Sequence, residues 1–151
     1  MKWTVAKAEI CDAAIISAFQ LAMAEESEGT SLNPDILRKG VEAVLEDASK
    51  GSYFVVRADS GETAGSLMVT KEWSDWNNCS YWWIQSVYVK PEYRGQGAFR
   101  ALYAEVRRRA VADGSTCLRL YVDRTNFKAQ ECYHKLGMDE CHYLMYEESF
   151  K

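Results

Sequence analysis

The sequence predicts an α/β (α+β) fold: a mixed, mostly antiparallel sheet with helices on both faces. Three observations predict it. Segments with a 3.6-residue apolar period alternate with short β-branched and aromatic runs, in the order α-α-β-β-β-α-β-α-β. Strands that are adjacent in sequence and joined by short turns pair antiparallel. A strand–helix–strand unit from Tyr81 to Val122 demands a right-handed parallel crossover.

Each element has a local cause. From Ala14 to Met23, Ile15, Phe19 and Ala22 form a helical stripe that Asp12 can cap. The acidic stretch Glu25-Glu26-Ser27-Glu28-Gly29-Thr30 reads as a loop. Asn33-Pro34 reads as a cap and first helical position, Leu37, Val41 and Val44 as a buried face, and Lys50-Gly51 as the end. Tyr53–Val56 and Gly65–Val69 read as strands joined by the turn Asp59–Glu62, and Trp73–Asn78 as a longer hairpin loop. Tyr81–Val89 is nearly all aromatic or β-branched and is expected to be a central strand buried on both faces, ended by Pro91. Phe99, Leu102, Tyr103, Val106 and Ala110 then mark one face of a long amphipathic helix that Gly114 ends. Cys117–Val122 alternates as a strand. Asn126–Leu136 is helical with Gly137 as its left-handed terminator, and Glu140–Tyr146 is expected to form a last strand.

A chain of 151 residues, 48% hydrophobic and 26% charged, suits one domain spanning 1–151 with its own core. The formal net charge of −4 argues against sequence-independent nucleic-acid binding, which requires phosphate neutralisation. An odd number of cysteines, five, without CxxC spacing suggests neither a disulfide framework nor a zinc site, and the expectation is reduced thiols in the cytoplasm. No apolar run approaches the roughly 18 residues of a membrane span, and the first residues lack the apolar segment of a secretion signal. No metal site is expected, because His134 and His142 lack partners at ligand spacing.

The chemistry is carried by Arg94-Gly95-Gln96-Gly97-Ala98-Phe99-Arg100, at a strand-to-helix junction. A Walker loop is excluded, since the lysine and the following hydroxyl are missing. A dinucleotide loop is excluded because Arg100 stands where the third glycine belongs. What remains is an anion site. The N–H groups of a first helical turn lack intrahelical acceptors, the helix dipole favours negative charge, and glycines remove Cβ atoms where an oxygen must come close. Arg94 can add charge-assisted bonds. A pyrophosphate fits this description.

A second constellation, Asn126-Phe127-Lys128-Ala129-Gln130-Glu131-Cys132-Tyr133-His134-Lys135-Leu136-Gly137, lies further along. With it the sequence resembles the GNAT superfamily of acetyl-CoA-dependent N-acetyltransferases. The family's first motif is matched by Arg94, Gly95, Gln96, Gly97 and Ala98, the second by Asn126, Ala129, Tyr133 and Gly137, and the element order agrees over nearly the whole chain. Phe99 departs from the small residue usual there; its side chain is expected to turn into the core while its amide faces the phosphate.

The resemblance implies a splayed parallel strand pair that holds acetyl-CoA as co-substrate. The backbone of Val87, Tyr88 and Val89 would bind the pantetheine arm. Residues Arg94, Gly95, Gln96, Gly97, Ala98, Phe99 and Arg100 would meet the pyrophosphate, and Asn126 the coenzyme arm. An amine then attacks the thioester directly. The Val87 amide would stabilise the oxyanion and Tyr133 would protonate the thiolate. On spacing alone, Tyr133 also reads as a core tyrosine on a helix face. Many relatives carry a glutamate where this chain has Gln85, and an amide cannot accept a proton at neutral pH. Gln85 can orient the amine or a water. A base could instead be a water chain to Glu25, Glu26 or Asp75, or the amine could need none.

Glu25 and Glu26 after the first helix, and Trp73, Asp75 and Trp76 before the central strand, are the acceptor-side candidates, since carboxylates and indole faces suit an ammonium. The plainer readings are a solvated acidic loop and, for the tryptophans, loop packing or a homodimer contact. The expected partner is a small-molecule amine, with no nucleic acid and no membrane. The alternatives are a peptide or protein acceptor, or an acyl-CoA-binding module without catalysis.

Overall fold

The computed structural model describes residues 2–151. Residues up to Leu120 form one compact unit and Tyr121–Lys151 a second. The first unit contains β1 (Thr4–Lys7), α1 (Ala13–Glu28), α2 (Pro34–Glu46), β2 (Ser52–Arg57), β3 (Thr63–Ser74), β4 (Cys79–Val89), α3 (Ala98–Ala112) and β5 (Leu118–Arg119). The sheet runs β1-β2-β3-β4-β5 in chain order. The first three pairings are antiparallel and β4–β5 is parallel, as the crossover rule requires.

Alternation along β2 sends its side chains to two cores. Tyr53 and Val55 pack with Ala13 and Ile16 of α1 and Val41 of α2. Phe54 faces the other way, with the Arg109 guanidinium of α3 5.1 Å above its ring. Helices therefore cover both faces, which is why Phe54, Val55 and Val56 are all buried. The α3 stripe buries Ala98, Leu102, Tyr103, Val106 and Ala110.

Several boundaries differ from the sequence reading. β1 was not anticipated. It is a four-residue edge strand whose mixed Thr-Val-Ala-Lys composition carries no apolar run. α1 continues through Glu28, so the acidic stretch forms its last turns rather than a loop, and Gly29 ends it at φ +61°. Glutamate is a good helix former when exposed. Asp12 makes no cap bond to α1; its buried carboxylate instead takes Arg57 Nη2 at 2.9 Å and the Glu9 amide at 2.9 Å. β3 extends to Ser74, which places Trp73 in the strand and leaves Asp75–Asn78 as the turn. β4 is only half-buried at most positions, with Trp82, Ile84 and Tyr88 the buried ones, because β5 pairs with it only at Trp82 and Trp83. The expected strand over Glu140–Tyr146 does not form: a strand exists through its ladder, and none of the described residues pairs with it.

In the second unit, α4 (Phe127–Lys135) starts where Asn126 Oδ1 accepts the Ala129 amide at 3.1 Å. It ends in paired 6→1 and 5→2 bonds, Met138 N–H to Tyr133 O and Gly137 N–H to His134 O, both 3.0 Å.

Candidate active site

The site begins with an interruption in β4. Ser66 lies opposite Tyr88 and Met68 opposite Gln85, so Ser86 and Val87 together face one residue, Leu67. Ser86 takes φ +53° to accommodate the extra residue. Such a bulge breaks the ladder and bends the strand. Gly65 lets the end of β4 come close, since a Cβ there would stand 2.5 Å from the Tyr88 carbonyl oxygen. On its other side, β4 has no strand partner from Ile84 to Val89 among the described residues. The result is a splayed parallel pair with the backbone of Val87, Tyr88 and Val89 along its open edge.

The chain then passes a short turn of helix, Pro91–Tyr93, and enters the glycine loop. Gly95 and Gly97 adopt φ +74° and +90°, values that L side chains rarely tolerate. α3 starts at Ala98 directly after them, so the amides of its first turn open toward the loop. Three contacts brace the loop. Trp3 Nε1 donates to Gln96 O at 2.9 Å, Gln96 Nε2 to Glu92 O at 2.8 Å, and Arg94 Nε to Val89 O at 2.8 Å. The rest of the Arg94 guanidinium lies 5.3 Å from the Tyr88 ring centroid and reaches the Glu26 carboxylate at 3.2 and 3.3 Å. Burial and a hydrogen bond to Glu26 raise the Tyr88 phenol above its ordinary pKa. Phe99 is only half-buried, in tilted contact with Tyr103 at 6.3 Å, and Ala98 instead begins the buried stripe.

Gln85 Nε2 donates to Thr70 Oγ1, which fixes the amide and leaves Oε1 as an acceptor. Tyr133, in the second unit, is half-covered, and burial raises its phenol pKa further above the ordinary value, keeping it protonated.

The structure thus brings Glu26 of the proposed acceptor side against Arg94 of the loop. Glu25 is exposed in the last turns of α1. It does not bring the tryptophan hairpin to the same place. Gln85 and the β4 end of that hairpin are six residues apart, about 20 Å of strand. Trp76 at the tip is 90% exposed, Trp73 is 63% exposed and Asp75 is exposed. Sequence reasoning missed Trp3, Ser86 and Thr70. Contacts of Trp3 with a loop over ninety residues later leave no local signal, and a serine at positive φ looks like any other serine.

Comparison with known proteins decides the family. The profile of the acetyltransferase (GNAT) family matches residues 16–138. A crystal structure of a possible acetyltransferase from Clostridium difficile 630 is 38% identical, covers 100% of this chain and 99% of its own, and superposes with a TM-score of 0.92. The chain belongs to the GNAT acetyltransferase family. Members of this family are acetyltransferases that use acetyl-CoA. A thialysine N-epsilon-acetyltransferase from Sus scrofa is 37% identical over 82 residues, 51% of this chain and 48% of that protein. The alignment therefore spans about half of that relative's length. The ribosomal-protein-alanine N-acetyltransferase of Brucella melitensis biovar Abortus 2308, 17% identical with a TM-score of 0.81 over 99% of this chain and all of its own, shares the fold. Among the described residues, no helix is long and apolar enough to cross a membrane.

Proposed function

We propose that this enzyme, a single catalytic domain over residues 1–151 acting in the cytoplasm, transfers acetyl from acetyl-CoA to a primary amine of a small molecule. The acetyl group passes by direct attack of the amine on the thioester within a ternary complex. The observation that carries the reading is the glycine loop. Two positive-φ glycines precede the first turn of α3, one short helical turn after a strand whose ladder is broken at Ser86 and Val87. That arrangement offers backbone donors to a pyrophosphate without a side chain in the way. A Cβ on Gly95 would meet no atom of the chain within 4 Å, so the space beside it is open.

The open edge of Val87, Tyr88 and Val89 suits the pantetheine amides, which add to it as an extra strand would. The Val87 amide is a donor for the oxyanion. Asn126 caps α4 through Oδ1 and keeps its amide Nδ2 to offer the coenzyme arm. Tyr133 is the proton donor to the leaving thiolate, and its raised pKa keeps the proton available at neutral pH. Gln85, held by Thr70, orients the incoming amine through Oε1 but takes no proton. The attacking amine must therefore lose its proton to water or to a carboxylate.

A small-molecule acceptor, rather than a peptide, is supported by the name of the partly matching Sus scrofa relative. The test is incubation with acetyl-CoA and two pools, one of small amines including thialysine and one of peptides, read by mass spectrometry. Acetylated small amines with unmodified peptides are expected. The reverse pattern would assign a peptide acceptor.

A further inference from the structure

We propose that Glu26 and the coenzyme pyrophosphate compete for the Arg94 guanidinium, so that coenzyme binding releases Glu26 to meet the acceptor's ammonium. This rests on the reading of the glycine loop as a pyrophosphate cradle.

The geometry gives Glu26 two unequal neighbours. One is Arg94, whose Nη2 reaches both carboxylate oxygens, at 3.2 and 3.3 Å. The other is the Tyr88 phenol, whose pKa is raised by burial and by the Glu26 carboxylate beside it. Tyr88 is fixed: its side chain is buried, and its ring packs 5.3 Å from Phe19 of α1. Arg94 is held at its inner nitrogen by the bond from Nε to Val89 O at 2.8 Å, and its guanidinium carbon lies 5.3 Å from the Tyr88 ring centroid. Its outer nitrogens are free to change partner.

Magnitude decides which partner wins. The Arg94 and Glu26 side chains are 45% and 43% exposed. Ion pairs this exposed shift an equilibrium by at most a factor of about five. A pyrophosphate brings more charge and more acceptor oxygens to the same planar fork, and its charge-assisted bonds are the stronger class. A carboxylate and a pyrophosphate cannot share one guanidinium without facing each other as like charges. The coenzyme therefore takes Arg94, and Glu26 is left with only the neutral Tyr88 phenol beside it. A carboxylate left in that state next favours a cation, and an amine substrate arrives as one. Glu26 thus couples the two substrates: it opposes the coenzyme until displaced, then favours the amine.

The test is calorimetric titration of coenzyme A into the wild-type protein and the Glu26→Gln, Arg94→Gln and double variants. Glu26→Gln is expected to bind coenzyme A about two- to five-fold more tightly than wild type. Arg94→Gln is expected to bind it roughly ten-fold more weakly or worse, and Glu26→Gln should add nothing in the Arg94→Gln background. A Glu26→Gln protein with unchanged or weaker affinity overturns the exchange. So does a gain that persists in the double variant, which would leave the cradle intact. An Arg94→Gln protein that binds coenzyme A as wild type does overturns the cradle role of Arg94 itself. For the second half, thialysine is titrated with and without saturating coenzyme A. Wild type should bind it about three-fold or more tightly with the coenzyme present, and Glu26→Gln should lose that difference. Equal binding in wild type overturns the release.

Discussion

Gly97→Ala separates a structural glycine from a ligand-binding one. The residue sits at φ +90°, so any Cβ is strained whatever the space around it. A left-handed L-residue costs about 1–2 kcal/mol. The added methyl would stand 3.7 Å from Trp3 Nε1, an ordinary contact, so no clash adds to the strain. Gly114 provides the control. It lies beyond the other end of α3 at φ +82°, with no atom within 4 Å of an added Cβ. The intervening helix is about 22 Å long. Both alanine variants should therefore lose about 1–2 kcal/mol, a fall of roughly 2–8 °C in Tm. Only Gly97→Ala should also lose affinity for coenzyme A, because in the proposed cradle its methyl would stand where a phosphate oxygen meets the loop amides. The loss of one charge-assisted bond is worth about 1.5–3 kcal/mol, or roughly 10- to 150-fold in Kd. Thermal melts give the first quantity, and calorimetric titration of coenzyme A at a temperature where both variants are folded gives the second. A folded Gly97→Ala protein that binds coenzyme A as tightly as Gly114→Ala would falsify the assignment of this loop. Gly97→Val, strained further by its β-branch, should show the same split more strongly.

Other perturbations probe the rest of the site and its supports. Tyr133→Phe should lower kcat at least about ten-fold while leaving the Kd for acetyl-CoA nearly unchanged; unchanged turnover would remove Tyr133 from the acid role. Gly65→Ala places a methyl 2.5 Å from the Tyr88 carbonyl oxygen. Because backbone must then move, a loss of about 1–3 kcal/mol or more is expected by chemical denaturation, together with weaker coenzyme binding. Asp12→Ala leaves the half-buried Arg57 charge and the Glu9 amide without their acceptor, and should cost about 3 kcal/mol, roughly 6–12 °C in Tm. Glu105 is held by Arg108 and Arg109 to a pKa of about 2, against an ordinary 4.5. A depressed carboxylate contributes stability above its ordinary value and loses it as the pH falls from 4.5 toward 2. Its surface setting limits the effect to about 1 kcal/mol. Glu105→Gln should therefore be less stable than wild type at pH 6, with the gap closing toward pH 2.

Much of the fold was legible because local chemistry and tertiary packing agree. Asn33 accepts the Asp35 and Ile36 amides as a helix cap should, and Gly137 terminates α4 at φ +97°. The glycine loop could be read for the same reason, since glycine at positive φ leaves a mark in sequence. The misreadings share a different cause. Glu25–Glu28 look like a loop by charge, but their helix is set by the turns before them and by Gly29. β4 looks like a strand buried on both faces by composition, yet its parallel partner covers only two of its residues. Glu140–Tyr146 alternates loosely, but alternation supplies no ladder partner. At the site, the second face of Glu26 was invisible: its ion pair with Arg94 spans 68 residues.

Acetyl transfer itself is the most direct test. Purified protein is incubated with acetyl-CoA and the small-amine pool, and the rate of free thiol release is followed alongside the mass of each amine. The prediction is saturable thiol release matched one-to-one by a 42-dalton gain on a primary amine, greatly slowed in Gly97→Val. Thiol release without an acetylated amine, or full activity in a folded Gly97→Val protein, would contradict it.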